Sequence, residues 1–221
     1  VLLTHPFDTE ITDLSAETFI SNLQAKLKLK KLLMGYDFAL GKNRQGDAKY
    51  LSKLGERDGY TVQTFSPISD EIGIISSSRV RDALVDGKVR DAHQLLGHPY
   101  TLTGSVIRGD GRGRKINIPT ANIEVPDEKI VPLNGVYACW ASVLGEKYPA
   151  VTNIGIRPTF TPDKERANIE THILDFSKDI YGEELKLEFI SRLRDEKKFG
   201  SVDELLTQIR VDIEKAQEVL I

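Results

Sequence analysis

The sequence has little cysteine, methionine and tryptophan, with one residue of each, and aromatic residues make up 7% of its 221 residues. A single cysteine, Cys139, excludes an intramolecular disulfide and is typical of a reducing compartment. Cys139 lies in the apolar run Val136–Ala141, which predicts a buried small side chain. No apolar run approaches the length of a membrane span and no signal-peptide pattern appears, so we expect a cytoplasmic protein.

Neither sign of charge dominates, since 30 Lys and Arg residues oppose 33 Asp and Glu residues, for a net charge of -3. This balance argues against a nucleic-acid-binding protein, although a local basic loop can still hold a phosphate group. The few, scattered aromatic residues also argue against an oligonucleotide-binding barrel, which needs exposed rings beside basic strands. The length is sufficient for one large domain or two modest ones, and the oligomeric state stays open.

A glycine-rich basic loop follows the predicted strand Thr101–Ile107. Its glycines are Gly109, Gly111 and Gly113, and its cations include Arg108, Arg112, Arg114 and Lys115. Glycines let backbone N–H groups turn inward to form an anion-binding nest, beside which the cations add fixed positive charge. The loop is not a Walker A motif, because no Gly-Lys-Ser/Thr ends it. Taken by itself, the loop is better explained as a glycine-rich hairpin between two strands with solvated arginines.

The loop leads into Pro119-Thr-Ala-Asn122. Thr120 and Asn122 are two residues apart, so on an extended segment their side chains point to the same face. A hydroxyl and an amide oxygen side by side are hard ligands, suited to a magnesium ion already held by phosphates. We therefore expect Thr120 and Asn122 to be metal ligands at a nucleotide site.

The first part of the chain alternates short apolar strands with amphipathic helices, which argues for a parallel sheet of the nucleotide-binding kind. We predict a buried strand over Lys30–Met34, a strand over Thr61–Phe65, and helices from Ser15 and over Asp47–Arg57. Three serines, Ser76 to Ser78, then begin another helix. Serines at a helix N-terminus cap it and leave N–H groups free for an anion, although an ordinary capped helix with surface arginines explains the same residues.

From Tyr100 the chain shows strands separated by tight turns, which predicts an antiparallel sheet curled into a small barrel. A helix with a Ser201–Glu204 capping box and an apolar stripe closes the chain. Gly97 and Pro99 are stop signals after the preceding helix, so we place a domain boundary between residues 98 and 99. The predicted strands are Tyr100–Ile107, Gly135–Val143, Lys147–Asn153, Ala167–Asp175 and Leu185–Leu193.

The motif GxVxxGxGRGR…PTAN resembles the signature of the riboflavin kinase family, and the resemblance covers the chain from Gly97 onward. It implies a six-stranded antiparallel β-barrel with a C-terminal helix, in which Thr120 and Asn122 bind the magnesium–nucleotide. Ile169-Glu-Thr-His matches the stretch that carries the family's base, so Glu170 is the implied base. Leu193–Phe199 matches the loop that closes over the flavin, so Arg194 is an implied substrate contact. Val151–Thr159 matches the family's second loop region, near the active site.

The first 98 residues resemble the second half of the adenylyltransferase module of bacterial FAD synthetases. The resemblance lies in Gly35-x-Asp-Phe-x-x-Gly41 and Ile75-Ser-Ser-Ser-Arg-Val-Arg81, and it implies that Ser76, Ser77 and Arg81 contact nucleotide phosphates. Such transferases depend on an H-x-G-H motif, which none of the four histidines forms. The sequence begins with Val1 and its one methionine is Met34, so we expect a preceding segment. As written, the chain is predicted not to transfer an adenylyl group.

Together these resemblances imply a partial Rossmann-like FMN adenylyltransferase domain, 1–98, followed by a riboflavin kinase domain, 99–221. The implied reaction is ATP-dependent phosphorylation of riboflavin to FMN with Mg²⁺, and adenylylation of FMN to FAD in the intact parent protein. The alternative is a non-catalytic flavin-binding barrel, which would need neither the Thr-x-Asn pair nor a facing acid. Without the resemblance, Glu170 would be interpreted as a solvent-facing strand residue and Arg194 as a surface charge.

Overall fold

The computed structural model describes residues 2–109, 111, 113, 116, 118–157 and 166–220. Their backbone contacts divide the chain into two compact units, Val1–Ile75 and Ser76–Ile221. The boundary between the two compact units therefore lies just before the three serines Ser76 to Ser78. The predicted domain boundary after residue 98 concerns sequence modules and stays a prediction.

The first unit is a small α/β unit with one parallel strand pair. In it, β1 and β2 pair in register from Lys31↔Thr61 to Gly35↔Phe65, which confirms the predicted parallel arrangement. Ser15 caps α2 by accepting from the Thr18 backbone N–H, and Asp47 caps α3 in the same way. The elements are α1 (Thr9–Thr12), α2 (Ala16–Leu27), β1 (Lys31–Gly35), a 3-10 turn (Lys42–Arg44), α3 (Ala48–Asp58) and β2 (Thr61–Phe65).

Helices α2 and α3 pack on the strand pair through a small core of Ile20, Met34, Leu51, Leu54 and Tyr60. The Tyr60 hydroxyl donates to the Leu51 carbonyl, so the one polar atom of this buried ring has a partner. The prediction that Lys30–Met34 is a buried strand is wrong in one respect, because only Met34 of β1 is buried and Leu33 is 54% exposed.

The second unit is a closed barrel preceded by a helical hairpin and followed by a long helix. Its six antiparallel strands follow the order β3-β4-β7-β6-β5-β8, which confirms the predicted six-stranded barrel with a C-terminal helix. The elements are α4 (Ser77–Val85), α5 (Val89–Leu96), β3 (Tyr100–Ile107), β4 (Ala121–Glu124), β5 (Gly135–Val143), β6 (Glu146–Arg157), β7 (Arg166–Ile173), β8 (Glu184–Arg194) and α6 (Val202–Leu220).

Alternate residues of each barrel strand point inward and form the main core. Leu187, Phe189 and Ile169 are almost fully buried there, and Tyr137 packs edge-on against Phe189 with ring centroids 5.3 Å apart. The helical hairpin belongs to the same core through Leu84, Val89 and Ala92, among others. This shared core explains why the division by packing places α4 and α5 with the barrel.

Helix α6 covers part of the barrel's outer face. Ala216 and Leu220 pack on outward-facing residues of β5 and β6, including Val136, Ala138 and Val151. The predicted capping box is present, since Ser201 accepts from the Glu204 N–H and the Glu204 carboxylate accepts from the Gly200 N–H. The outer faces of β4 and β7 carry polar residues instead.

Cys139 is completely buried inside the barrel, as the sequence predicted. Burial raises the pKa of its thiol to about 12, although a hydrogen bond with Thr152 opposes the shift. The thiol is therefore protonated near neutral pH and has the small, apolar role expected from the sequence.

Within the residues that the structure describes, no helix combines the length and the apolar character needed to cross a membrane.

Candidate active site

A row of polar side chains crosses three neighbouring strands on the outer face of the barrel. Asn122 of β4 pairs directly with Glu170 of β7, and Glu170 pairs on its other side with Asn153 of β6. Directly opposed residues of antiparallel strands point to the same face with Cβ atoms about 5 Å apart. Ile123 and Ile169, which alternate with Asn122 and Glu170, are buried in the core. The register thus brings the predicted metal ligand Asn122 next to the predicted base Glu170.

Glu170 is half-buried and has a defined orientation, because the Asn168 side-chain amide donates to Glu170 Oε1 over 2.7 Å. Asn168 lies two residues before Glu170 on β7, so both side chains are on the outer face. An amide hydrogen bond to one carboxylate oxygen leaves the second oxygen available to accept a proton. This arrangement suits a general base.

The glycine-rich loop lies against the Thr-x-Asn pair at two places. A Cβ on Gly109 would come within 2.2 Å of the Asn122 side-chain nitrogen, and a Cβ on Gly113 within 2.2 Å of the Ile118 carbonyl oxygen. The Gly113 site is also 3.4 Å from Thr120 Oγ1. A side chain at position 113 would collide with the backbone, whereas one at position 109 would displace the Asn122 side chain. Gly111 has φ +66, the left-handed region that favours glycine. The predicted contacts Arg112 and Arg114 lie outside the described residues.

Thr120 and Asn122 together offer oxygen ligands of the kind that Mg²⁺ prefers. Thr120 is half-buried beside Gly113, Asn122 is half-buried beside Gly109, and both belong to the run that begins β4. A hydroxyl and an amide oxygen are hard donors, which fit a magnesium ion that also keeps phosphate and water ligands. The donor chemistry therefore fits the predicted metal.

His172 holds the chain just before Thr120. Its Nδ1 donates to the Pro119 carbonyl oxygen over 2.8 Å, which links β7 to the segment that leads into β4. The contact fixes the position of the strand start that carries Thr120.

A cavity of about 500 Å³ opens next to Thr120. Its walls combine apolar and polar residues, and the Phe176 ring in the wall packs edge-on against Tyr148 with centroids 5.0 Å apart. The Arg108 guanidinium lies 5.5 Å from the centre of the Tyr181 ring. Glu170 does not line the cavity, whereas Thr120, two residues before Asn122, does. The lining residues are Val106, Pro119, Thr120, Ala121, Thr171, Ile173, Phe176, Ser177, Lys178, Asp179, Ile180 and Tyr181.

Arg194, the predicted substrate contact, is tied to the C-terminal helix. Its guanidinium forms a two-pronged ion pair with Asp212, with Nε–Oδ1 at 3.0 Å and Nη2–Oδ2 at 2.8 Å. Asp212 is 2% exposed and also accepts from Gln208. Nη1 of Arg194 donates to the Asp195 carbonyl. The role that these contacts support is to hold the end of β8 on α6, and the predicted substrate contact stays a prediction.

Replacing Asp212 by alanine is expected to lower the free energy of unfolding by about 3–5 kcal/mol, because it leaves the largely buried Arg194 cation without its partner. Urea denaturation measures the loss. The double variant Arg194→Met/Asp212→Leu should regain much of it, since no unpaired charge remains. A loss within the range of an exposed ion pair, about 1 kcal/mol or less, would contradict the assigned role.

Ser76, Ser77 and Arg81 lie at the start of the second compact unit. Ser76 caps α4 by accepting from the Arg79 N–H, and Ser77 is the first helical residue, as the sequence predicted. All three side chains are exposed. Their predicted contact with nucleotide phosphates stays a prediction.

Two residues of the polar row, Asn153 and Asn168, are not among the predicted site residues. Val151–Thr159 was expected to be a loop, but β6 runs from Glu146 to Arg157 and pairs with β7 along this stretch. The expectation of a loop came from the resemblance alone, whereas the cross-strand pairing extends the strand. In the sequence, Asn153 and Asn168 lie in different segments, and only the pairing of β6 with β7 brings them to one face.

Comparisons with known proteins identify the family of the chain. Residues 96–220 match the family described as "Flavokinase: Riboflavin kinase", and residues 1–79 match "FAD synthetase". Proteins named bifunctional riboflavin kinase/FMN adenylyltransferase are similar along almost the whole chain. The one from Listeria monocytogenes is 38% identical over 93% of this chain and 65% of its own length. The one from Bacillus subtilis is 39% identical over 98% of this chain and 68% of its own length.

One solved structure has the same fold over nearly the whole chain. It is described as a macrolide-efflux protein from Streptococcus pneumoniae, and it matches with a TM-score of 0.85 and 36% identity over 96% of this chain and 67% of its own. Its description names a different activity from the curated relatives, so the family matches carry the assignment. The chain spans about two thirds of the length of the curated relatives that it matches.

Proposed function

The chain belongs to the riboflavin kinase family, with an FAD synthetase segment before the barrel, and from this premise we propose that the barrel phosphorylates riboflavin to FMN with ATP. The single observation that carries the proposal is the direct pairing of Asn122 with Glu170 on one face of β4 and β7. It places an oxygen ligand for a nucleotide-bound cation beside a candidate base.

The proposed role of Glu170 is to hold the primary hydroxyl of riboflavin in line with the phosphorus and to take its proton as the new bond forms. Phosphoryl transfer passes through a loose transition state, so the protein mainly positions groups and balances charge. Asn168 keeps one carboxylate oxygen occupied, which directs the other toward the hydroxyl. An alkanol is too weak an acid to ionise before attack, so the base acts during the transfer.

Thr120 and Asn122 are the residues that would hold Mg²⁺. A magnesium ion bound with the nucleotide supplies positive charge next to the phosphoryl oxygens. The Gly109 and Gly113 backbone, packed on these two side chains, keeps their position fixed and lets phosphates approach closely. Gly111, Arg112 and Arg114 belong to the same proposed phosphate site.

We assign the nucleoside part of ATP to the cavity beside Thr120. Its aromatic rings, Phe176 and Tyr181, suit a planar base, its polar side chains suit a sugar, and its volume of about 500 Å³ lies in the range of small-molecule sites. Because Thr120 lines the cavity and lies two residues before Asn122, a nucleotide there can direct its phosphates toward Asn122 and Glu170.

The direct test is incubation of the protein with riboflavin, ATP and Mg²⁺, followed by chromatography for FMN and FAD. We expect FMN, and no FAD, because the sequence has no H-x-G-H motif. A non-catalytic flavin-binding barrel would instead bind flavin and leave riboflavin and ATP unchanged. Omission of Mg²⁺ is the matched control and should abolish FMN formation.

For the second activity, we propose that adenylylation of FMN belongs to a protein that combines this chain with an H-x-G-H segment. Its candidate contacts here are Ser76, Ser77 and Arg81. We place both reactions in the cytoplasm, in keeping with the single cysteine, Cys139, held as a protonated thiol.

A further inference from the structure

The loop after β8 brings a second carboxylate to the outer face of the barrel, close to Glu170. A Cβ on Gly155 of β6 would come within 2.3 Å of Glu196 Oε1 and 3.1 Å of its Cδ. The Glu196 carboxylate therefore occupies the space that a side chain at position 155 would fill. Gly155 pairs with Asn168, the residue that donates to Glu170.

The position of Glu196 follows from the anchoring of the two residues before it. Arg194 is held by Asp212 on α6, and its Nη1 donates to the Asp195 carbonyl. The Asp195 carboxylate in turn lies 2.7 Å from Arg192 Nη2 on β8. With the main chain fixed at both residues, the Glu196 side chain is directed over β6.

Gly155 and Glu170 are diagonal neighbours across β6 and β7, a relation that separates residue positions by about 7–8 Å. The Glu196 carboxylate beside Gly155 and the Glu170 side chain can therefore contact different atoms of one extended substrate. A carboxylate accepts hydrogen bonds but donates none, so its partners are hydroxyl and N–H donors. The riboflavin side chain carries further hydroxyls next to the primary one that Glu170 is proposed to hold.

We propose that Glu196 is a substrate-binding residue that accepts hydrogen bonds from the secondary hydroxyls of the riboflavin side chain. This inference rests on the proposed kinase function. It adds a residue that favours substrates with further hydroxyl groups next to the hydroxyl that reacts. Glu196 contributes to binding and takes no proton, which distinguishes its role from that of Glu170.

Steady-state kinetics of Glu196→Ala test the inference. The riboflavin KM should rise about tenfold or more, the loss typical of a hydrogen bond to a charged group, while kcat and the ATP KM change little. Glu218→Ala, which removes an exposed glutamate from α6, is the matched control and should leave both constants unchanged. If the wild-type protein forms FMN and Glu196→Ala keeps the wild-type riboflavin KM, the inference is wrong while the proposed function stands. If the wild-type protein forms no FMN, the proposed function itself fails.

Gly155→Ala provides an independent test that leaves Glu196 in the sequence. The new methyl group would overlap the carboxylate, so Glu196 must move and the riboflavin KM should rise as in Glu196→Ala. Without Glu196, the nearest neighbour of that methyl group is 3.5 Å away at the Asn153 side-chain nitrogen. Gly155→Ala should therefore add little in the Glu196→Ala background. Additive losses would contradict the contact.

Flavin fluorescence supplies a readout besides activity. Binding of riboflavin should weaken about tenfold in Glu196→Ala, whereas binding of lumiflavin, which has the same ring without the hydroxylated side chain, should not change. Equal weakening for both flavins would overturn the assignment of Glu196 to the side chain.

Discussion

Replacement of Glu170 by glutamine is expected to lower kcat by about two to four powers of ten, the usual contribution of a positioned general base. Glutamine has nearly the shape of glutamate, so the pairing of β7 with β4 and β6 should persist. What is lost is the oxygen that accepts the proton of the attacking hydroxyl. Because Glu170 lies outside the cavity assigned to the nucleoside, the Kd for ATP should stay at the wild-type value.

Rapid-quench measurement of FMN formation gives kcat, and equilibrium titration with ATP gives Kd. Glu184→Gln is a matched control, since Glu184 is an exposed glutamate on β8 of the same barrel. It should retain wild-type turnover. Equal loss of turnover and of ATP binding in Glu170→Gln would contradict the role of base and would indicate a disturbed fold or a nucleotide contact instead.

Asn122→Ala and Thr120→Ala are each expected to raise the Mg²⁺ concentration needed for half-maximal activity about tenfold or more. Each change removes one of the two proposed protein oxygen ligands, and even changes to residues that only support a metal ligand commonly cost 10–100-fold in affinity. The riboflavin KM measured at saturating Mg²⁺ should change little. Titration of activity against Mg²⁺ at fixed ATP measures the effect.

Thr207→Ala, at an exposed position on α6, is the control for removal of a threonine hydroxyl and should leave the Mg²⁺ dependence unchanged. Gly109→Ala should reproduce part of the Asn122→Ala effect, because the new methyl group would overlap the Asn122 side chain. An unaltered Mg²⁺ requirement in both Asn122→Ala and Thr120→Ala would refute their assignment as ligands.

Residue patterns along the sequence were sufficient to predict much of the fold. The bounds of β2, β3 and β5 agree with the predicted Thr61–Phe65, Tyr100–Ile107 and Gly135–Val143. Clear turn residues flank these runs and their composition favours strands. The buried part of β1 was overestimated, because an apolar run does not reveal whether another element covers both faces of a strand.

The site depends on contacts that local patterns do not specify. The resemblance to the riboflavin kinase family supplied Asn122 and Glu170 separately, but their direct pairing is set by the register of β4 and β7, which belong to distant parts of the sequence. Arg194 was interpreted as a substrate contact because Leu193–Phe199 resembles the loop that closes over the flavin in the riboflavin kinase family. Its ion pair with Asp212 depends on the way α6 packs on the barrel. The sequence alone does not distinguish Asp212 from the other acidic residues of that helix as the partner of Arg194.

The role proposed for Glu196 also depends on a contact that the sequence does not specify. In the sequence Glu196 is one charge among several in Asp195–Lys198, with no periodicity to mark it. Its proposed role depends on its contact with Gly155. The space beside Gly155, which has no side chain, is next to Glu196 only in the folded barrel. Loops that carry function acquire their geometry from the scaffold that anchors them.

A crystal structure with riboflavin, ADP and Mg²⁺ bound tests the central claim most directly. We expect the cation at about 2.0–2.1 Å from Thr120 Oγ1 and Asn122 Oδ1, the distance typical of magnesium–oxygen bonds. We also expect the primary hydroxyl of riboflavin within hydrogen-bond reach of Glu170, about 2.6–3.2 Å. A cation bound away from Thr120 and Asn122, or a riboflavin hydroxyl held by another residue on the far side of the barrel, would contradict it.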